Sequence, residues 1–309
     1  MIVVVCPGQG SQTPGFLSPW LELDGVRARL EQFSEAAEVD LVAHGTESDA
    51  DTIRDTRVAQ PLIVAASLLA WEALGASTAQ AGGVAGHSVG EIAALVAAGV
   101  LDAENGMRLV GVRGRAMAEA AAQARTGMSA VVGGDEADVL AKVQEHGLSP
   151  ANYNGGGQLV VAGALDALAA FAADAPRGAR VIPLQVAGAF HTQYMAPARD
   201  ALQQAVEALA TDHDVSDPGV TLWTNRDGTV VSSGARAVEL LVGQVASPVR
   251  WDLCMASFAE HGVTGVIELA PAGALTGLAK RALRGVPSVA IKTPDDLESA
   301  ASLLQGDAA

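Results

Sequence analysis

Short runs of β-branched and aliphatic residues alternate with longer apolar-periodic stretches along most of this chain. No other feature limits the architecture as much. IVVVC (2–6) reads as a buried strand running into the glycine loop PGQG. Residues 27–44 read as a helix closed at Gly45. QPLIVAASLLAWEAL (60–74) reads as a strong apolar helix, with Pro61 near its first turn and Gly75 just past its end. A short strand around Val84, a sharp turn at GHSVG and a helix to about Leu101 come next. A further helix over roughly 104–124 bears Arg108, Arg113 and Arg115. From Thr192 onward the strands VTLWTN (220–225), VTGVIEL (263–269) and SVAIKT (288–293) again alternate with helices. Strands separated by helices imply a mostly parallel sheet with helices over its faces.

The texture changes at Thr126-Gly127. MSAVVGG is strand-like, and DEADVLAKVQEHG is a helix with Asp135 as its cap. LSPANYNGGGQLVVAG holds two extended segments, ALDALAAFAADAP is a helix, and ARVIPLQVAG is a strand. This βαββαβ order is that of a ferredoxin-like unit. The expected fold is therefore α/β: a large, α/β-hydrolase-like domain in two parts, 1–126 and 188–309, with a small ferredoxin-like subdomain over 127–187 inserted between them. The tail GDAA is expected to fray.

A chain of 309 residues buries a substantial core without staples. Its 19 basic against 35 acidic residues give a net charge of −16, which argues against nucleic-acid binding. The two cysteines, Cys6 and Cys254, cannot build a disulfide framework or a cysteine zinc site, and no metal is expected. The apolar run at the N-terminus stops at Pro7 with no positive charge before it, unlike a signal peptide. No stretch reaches the roughly 18 uninterrupted apolar residues of a membrane helix. A cytoplasmic protein with reduced thiols and no membrane partner is expected.

The chemistry centres on Gly86-His87-Ser88-Val89-Gly90. A strand-to-helix turn with glycines two positions either side places a serine on a tight elbow, at a helix N-terminus that favours developing negative charge. The bland alternative is a glycine turn with an incidental serine. Of the six histidines, His44, His146 and His261 each precede a glycine at an expected helix end, and His213 lies in the polar loop TDHDVSD. His87 adjoins Ser88, so its side chain leaves the elbow in another direction. His191, in GAFHT where the chain returns to the large domain, remains as candidate base. No compelling acid lies between Ser88 and His191. Gln244 is out of place in the apolar helix VELLVGQVASPVRW; its amide or backbone carbonyl could orient the imidazole, or it could simply cap the helix.

PGQGSQ (7–12), GHSVGE (86–91), Arg113 in VRGRAM, ANYNGGGQLVVAG (151–163), GAFHT (188–192) and GQVASPVRW (243–251) together resemble the malonyl-CoA:acyl-carrier-protein malonyltransferase family, in family order over essentially the whole chain. The resemblance implies a ping-pong transfer of malonyl from malonyl-CoA to acyl-carrier protein, supplying fatty acid or polyketide synthesis without a cofactor. Ser88 would be the acylated nucleophile, His191 its base, and the Gln244 carbonyl the group that holds His191. Backbone N–H groups of Gln9 and Val89 would form the oxyanion hole, and Arg113 would grip the malonyl carboxylate as a bidentate fork. Phe190 matches the malonyl-type form of its segment, and His87 and Asn154 would join the substrate site. The chain departs from the family at Gly156, where relatives often carry proline, so a more flexible loop is expected there.

The partner, acyl-carrier protein, is itself acidic, so an acidic enzyme needs a local basic patch to receive it. Lys280, Arg281 and Arg284 form the densest basic cluster, although they would equally complement a helix C-terminus. The alternatives are a serine esterase, which the elbow supports and the missing acid opposes, and a close relative that uses the same site for polyketide or malonate-decarboxylase chemistry. A dinucleotide-binding module fails at position 13, where Thr13 stands in place of the third glycine of G-x-G-x-x-G.

Overall fold

The computed structural model describes residues 1–211 and 215–306. His213 and the last three residues of the GDAA tail lie outside the described residues.

Ile2–Cys6 (β1) opens the chain as a β-branched strand. The single helix expected over 27–44 is instead two, Val26–Ala37 (α1) and Leu41–Thr46 (α2). Glu38 breaks it by adopting a left-handed φ of 58°, and Asp40 restarts it by accepting from the Ala43 amide at 3.0 Å. Thr56–Leu74 (α3) is capped by Asp55 and begins before Gln60, so Pro61 lies in its second turn. Ala81–Gly86 (β2), Gly90–Ala97 (α4) and Ala103–Ala122 (α5) follow.

Thr126–Gly133 (β3), Glu136–Glu145 (α6), Ser149–Gly155 (β4), Gln158–Ala164 (β5), Leu165–Ala173 (α7) and Ala179–Pro183 (β6) then give the βαββαβ run. The chain continues through Ala196–Thr211 (α8), Thr221–Leu222 (β7), Gly234–Gln244 (α9), Val249–Arg250 (β8) and Trp251–Glu260 (α10). It closes with Gly265–Glu268 (β9), Ala274–Ala282 (α11), Ser288–Ala290 (β10) and Leu297–Gln305 (α12).

Among the described residues there are two five-stranded sheets. The first has the order β10-β9-β1-β2-β7 and is parallel throughout. Alternate side chains of β1 serve opposite faces, as a strand's period of two requires. Val4 and Cys6 enter the core that contains α3 and α4, whereas Val3 and Val5 pack with Trp223, Trp251 and Phe258 on the other side. The second sheet has the order β6-β3-β5-β4-β8. Its first four strands are antiparallel in the ferredoxin-like arrangement, and β8 joins them parallel to β4 from the far end of the chain. The expected α/β class, with a large mostly parallel part and a small inserted part, describes this structure.

Several strands are shorter than their sequence suggests. The run 220–225 pairs only at Thr221 and Leu222, because Trp223 bridges Val230 and the Asn225 amide is drawn to Glu91. The run 288–293 stops at Ala290, because the amides of Lys292 and Thr293 turn to the Asp296 carboxylate. The stretch Thr56–Gln80 has the length and apolarity of a membrane span. Its residues from Ala59 through Ala70 are all buried within the fold, which makes α3 a core helix.

Candidate active site

Strand β2 ends and α4 begins at one sharp turn, and two glycines make that turn possible. A Cβ on Gly86 would lie 2.0 Å from the Gly90 carbonyl carbon, and one on Gly90 would lie 2.2 Å from the Cys6 carbonyl oxygen. Ser88 between them has a φ of 55°, a left-handed conformation that an ordinary residue keeps only where its surroundings enforce it. Asn225 supplies the strap: its Oδ1 accepts from the Ser88 amide at 2.8 Å and its Nδ2 donates to the Gly86 carbonyl at 2.6 Å.

His191 follows Phe190 in the segment that leaves the second sheet, and it too is left-handed, with a φ of 60°. Its amide donates to the Val245 carbonyl at 3.2 Å. Its Nδ1 stands 3.0 Å from the Gln244 backbone carbonyl, and its Nε2 stands 2.7 Å from Ser88 Oγ. A carbonyl only accepts, so Nδ1 carries the proton and Nε2 is left as the acceptor toward the serine. Burial, reinforced by the nearby Arg113 guanidinium, pulls the imidazole pKa down to about 3. The imidazole is therefore neutral, with Nε2 free to accept from the serine. Among the described residues no acid hydrogen-bonds to it; the group on Nδ1 is a backbone carbonyl.

Arg113, on α5, is 1% exposed. Nη1 donates to Gln60 Oε1 at 2.7 Å, and Nη2 donates to Gln244 Oε1 at 2.8 Å and reaches Ser88 Oγ at 3.4 Å. Nε has no partner among the described residues. Burial lowers its pKa to about 10, opposed by the charge of Glu91. Glu91, on the first turn of α4, accepts from the Asn225 amide at 2.6 Å and from Gln244 Nε2. Burial pushes its pKa up to about 7. Gln244 Nε2 also donates to the Ser88 carbonyl at 2.9 Å.

Ser88, His191 and Gln60 open onto a cleft of about 490 Å³ between the two sheets, with Gln9, Phe190, Asn154 and Arg281 also in its wall. The backbone amides of Gln9 and Val89 have no hydrogen-bond partner among the described residues. The Gln9 side chain is tied back to the Arg54 carbonyl at 3.4 Å. His87 turns away from the nucleophile: its Nε2 is 2.9 Å from Asn154 Oδ1 and its ring packs edge-on against Trp251. Asn154 Nδ2 is held in turn by Gln158 Oε1 at 3.0 Å. Arg281 reaches the cleft from α11, while Lys280 and Arg284 are exposed on or beside that helix.

The remaining described histidines have partners elsewhere: His44 with Ser48, His146 with Asp174, and His261 with the Ser257 carbonyl. Among the described residues no group of three or more His, Cys, Asp or Glu could hold a metal. The structure thus brings together Ser88, His191, Gln244, Arg113, Gln9 and Val89, with Phe190, His87 and Asn154 in the same cleft. Sequence reasoning missed Gln60, Glu91 and Asn225. Glu91 left one visible signal, as the lone acid in the apolar run after the elbow.

The chain is similar to known proteins over nearly its full length. Residues 3–302 match the acyl transferase domain family. The malonyl CoA-acyl carrier protein transacylase of Mycobacterium tuberculosis is 52% identical over 306 residues, covering 98% of this chain and all of that protein. The crystal structure of MCAT from the same organism superposes with a TM-score of 0.94 at 51% identity, over 97% of this chain and 99% of that one. A type II polyketide acyl-carrier protein in complex with its malonyl-transacylase gives a TM-score of 0.88 at 30% identity, over 98% of this chain and 99% of that chain.

Proposed function

This chain belongs to the acyl transferase family, among the malonyl CoA-acyl carrier protein transacylases, and from that premise we propose that it moves malonyl from coenzyme A to an acyl carrier protein through an ester on Ser88. In the first half-reaction Ser88 Oγ attacks the thioester carbonyl and His191 Nε2 takes its proton. The amides of Gln9 and Val89, which lack other partners, receive the oxyanion. Collapse breaks the carbon–sulfur bond, and the coenzyme A thiolate leaves with the proton from His191. In the second, the carrier's thiol passes its proton to His191 and attacks the ester, and Ser88 departs with that proton.

The observation that carries this reading is the position of Arg113. A desolvated guanidinium 3.4 Å from the nucleophile, with Nε unpartnered, suits an acyl group that ends in a carboxylate. Phe190, His87 and Asn154 shape the cleft around that acyl group. Arg281, with Lys280 and Arg284 behind it, faces the acidic carrier. The neutral Gln244 carbonyl behind His191 supports transfer to a thiol over the serine esterase alternative.

Intact-mass measurement after mixing with malonyl-CoA tests the proposal. The expected result is a single malonyl adduct that a carrier protein discharges and that Ser88→Ala abolishes. A stable malonyl adduct on Ser88→Ala would overturn it, and rapid turnover of simple esters with no transfer to a thiol would favour the esterase.

A further inference from the structure

We propose that Glu91 is a positioning residue that sets the malonyl preference of this site, by fixing which way round the Gln244 amide lies between Glu91 and Arg113. The proposal rests on the reading of Arg113 given above. A carboxylate only accepts hydrogen bonds and a guanidinium only donates them. Both Glu91 oxygens accept, and between this carboxyl group and the guanidinium lies one carboxamide with an accepting end and a donating end. Gln244 Oε1 accepts from Arg113 Nη2 at 2.8 Å, while Nε2 donates to Glu91 Oε2 and to the Ser88 carbonyl at 2.9 Å. Reversing the amide would set an NH₂ group against the guanidinium and an oxygen against both the carboxylate and the Ser88 carbonyl. All three partners therefore select the same orientation.

Glu91 cannot turn aside to relieve a conflict, because its other oxygen is committed to the Asn225 amide at 2.6 Å. It is 7% exposed, and Gln244 is 5% exposed, so water does not compensate a misdirected donor. Among the described residues no carboxylate pairs directly with Arg113, and Glu91 supplies the counter-charge through the amide. Arg113 is thereby gripped at Gln60 Oε1 and Gln244 Oε1, with Nη2 held 3.4 Å from Ser88 Oγ. The Glu91 carboxylate makes no hydrogen bond to Ser88 Oγ or His191, so it acts through Gln244 and Arg113.

Glu91→Gln keeps the shape and the acceptor for Asn225 but places an NH₂ group against Gln244 Nε2. Reversal of the Gln244 amide relieves that clash and turns a donor onto Arg113, whereas turning the introduced amide over instead sets its NH₂ group against the Asn225 amide. The readout is the rate of Ser88 adduct formation from malonyl-CoA and from acetyl-CoA, with melting temperature recorded for each variant. Malonyl transfer by Glu91→Gln is expected to fall by about tenfold or more relative to acetyl transfer, the effect of one buried unmatched donor. Glu91→Asp, which still only accepts, is expected to retain most of the malonyl preference.

An unchanged malonyl-to-acetyl ratio in Glu91→Gln overturns the proposal. So does an equal loss of preference in Glu91→Asp and Glu91→Gln, which would indicate packing. Should Glu91→Gln not fold, Gln244→Met removes the amide and keeps the backbone carbonyl, and an unchanged ratio there also overturns it. Arg113→Ala run alongside separates the two readings. Preference lost in Arg113→Ala but kept in Glu91→Gln defeats the role of Glu91 alone, whereas preference kept in Arg113→Ala defeats the reading of Arg113 and this proposal with it.

Discussion

Arg113 carries its charge into the core beside a serine hydroxyl, and such a placement is costly unless an anion shares it. In the proposed reaction the malonyl carboxylate is that anion. Arg113→Ala is expected to slow Ser88 acylation by malonyl-CoA about a hundredfold, the consequence of roughly 3 kcal/mol for breaking a desolvated charge pair. Acylation by acetyl-CoA, which has no carboxylate to lose, is expected to fall far less, and parallel rates on the two thioesters check this. His191 gives a pH test. Its pKa is drawn from the usual 6.5 down to about 3 by burial and then by Arg113. The imidazole therefore remains neutral in the folded protein well below pH 6.5. Its contribution to stability is complete above pH 6.5 and is lost as pH falls toward 3. The kcat/KM for malonyl-CoA, which reports the free enzyme, is expected to show no loss from His191 until well below pH 6.5. The stability difference between wild type and His191→Gln is expected to shrink on acidification, as read by denaturant melts at pH 7 and pH 4.5. Ser88 was legible from its flanking glycines, His191 from the poor fit of the other histidines, and Gln244 from its apolar helix. Gln60, Glu91 and Asn225 were not, because each acts on a group far away in the chain. Asn225 is 137 positions from Ser88 and Glu91 is 153 from Gln244, and no local periodicity records such a pairing.

Among the elements, the βαββαβ run could be read in order and type because each strand and helix carries its own pattern. Lengths were harder. The helix expected over 27–44 breaks at Glu38, a left-handed residue that no glycine announces. The strand expected over 220–225 loses its end to the site, since Asn225 straps the elbow rather than extending the ladder. The turn between β4 and β5 shows the same dominance of geometry over resemblance. Gly155, Gly156 and Gly157 take φ values of 70°, 59° and 75°, three left-handed residues in succession. Proline is locked near −65°, so the residue that relatives often carry at this position does not fit this turn as it is formed here. Arg281 also packs close by, its Cβ 3.1 Å from where a Cβ on Gly156 would lie. Gly156→Pro is therefore expected to destabilise the protein by more than about 1 kcal/mol, seen as a lower denaturation midpoint. Because the turn follows directly on Asn154, the partner of His87, a weaker malonyl-CoA KM is expected alongside the stability loss.

On the scale of the whole molecule, a net charge of −16 repels an acidic carrier, so any attraction must come from cations that the protein leaves unneutralised. Several surface arginines are already spent on neighbouring acids, as Arg29 is on Glu72, Arg115 on Glu38 and Arg250 on Asp252. Lys280, Arg281 and Arg284 are exposed and make no ion pair with a described residue, despite the surplus of carboxylates. Arg281 also lines the cleft that holds Ser88. The bland account, that these cations complement the C-terminus of α11, covers Lys280 and Arg281 in its last turn. It does not call for a side chain in the wall of the cleft. Reversing the charge at Lys280 and Arg284 spares that wall residue and removes long-range attraction alone. The Lys280→Glu, Arg284→Glu double variant is expected to raise the apparent KM for the carrier several-fold at low salt and to flatten its dependence on ionic strength. Acylation of Ser88 by malonyl-CoA is expected to change little, because the chemistry lies within the cleft. Stopped-flow acylation and steady-state transfer, each measured across a salt series, separate the two half-reactions. A parallel fall in both would mean that the cluster supports the fold of α11. No change in either would place the docking of the carrier on another face.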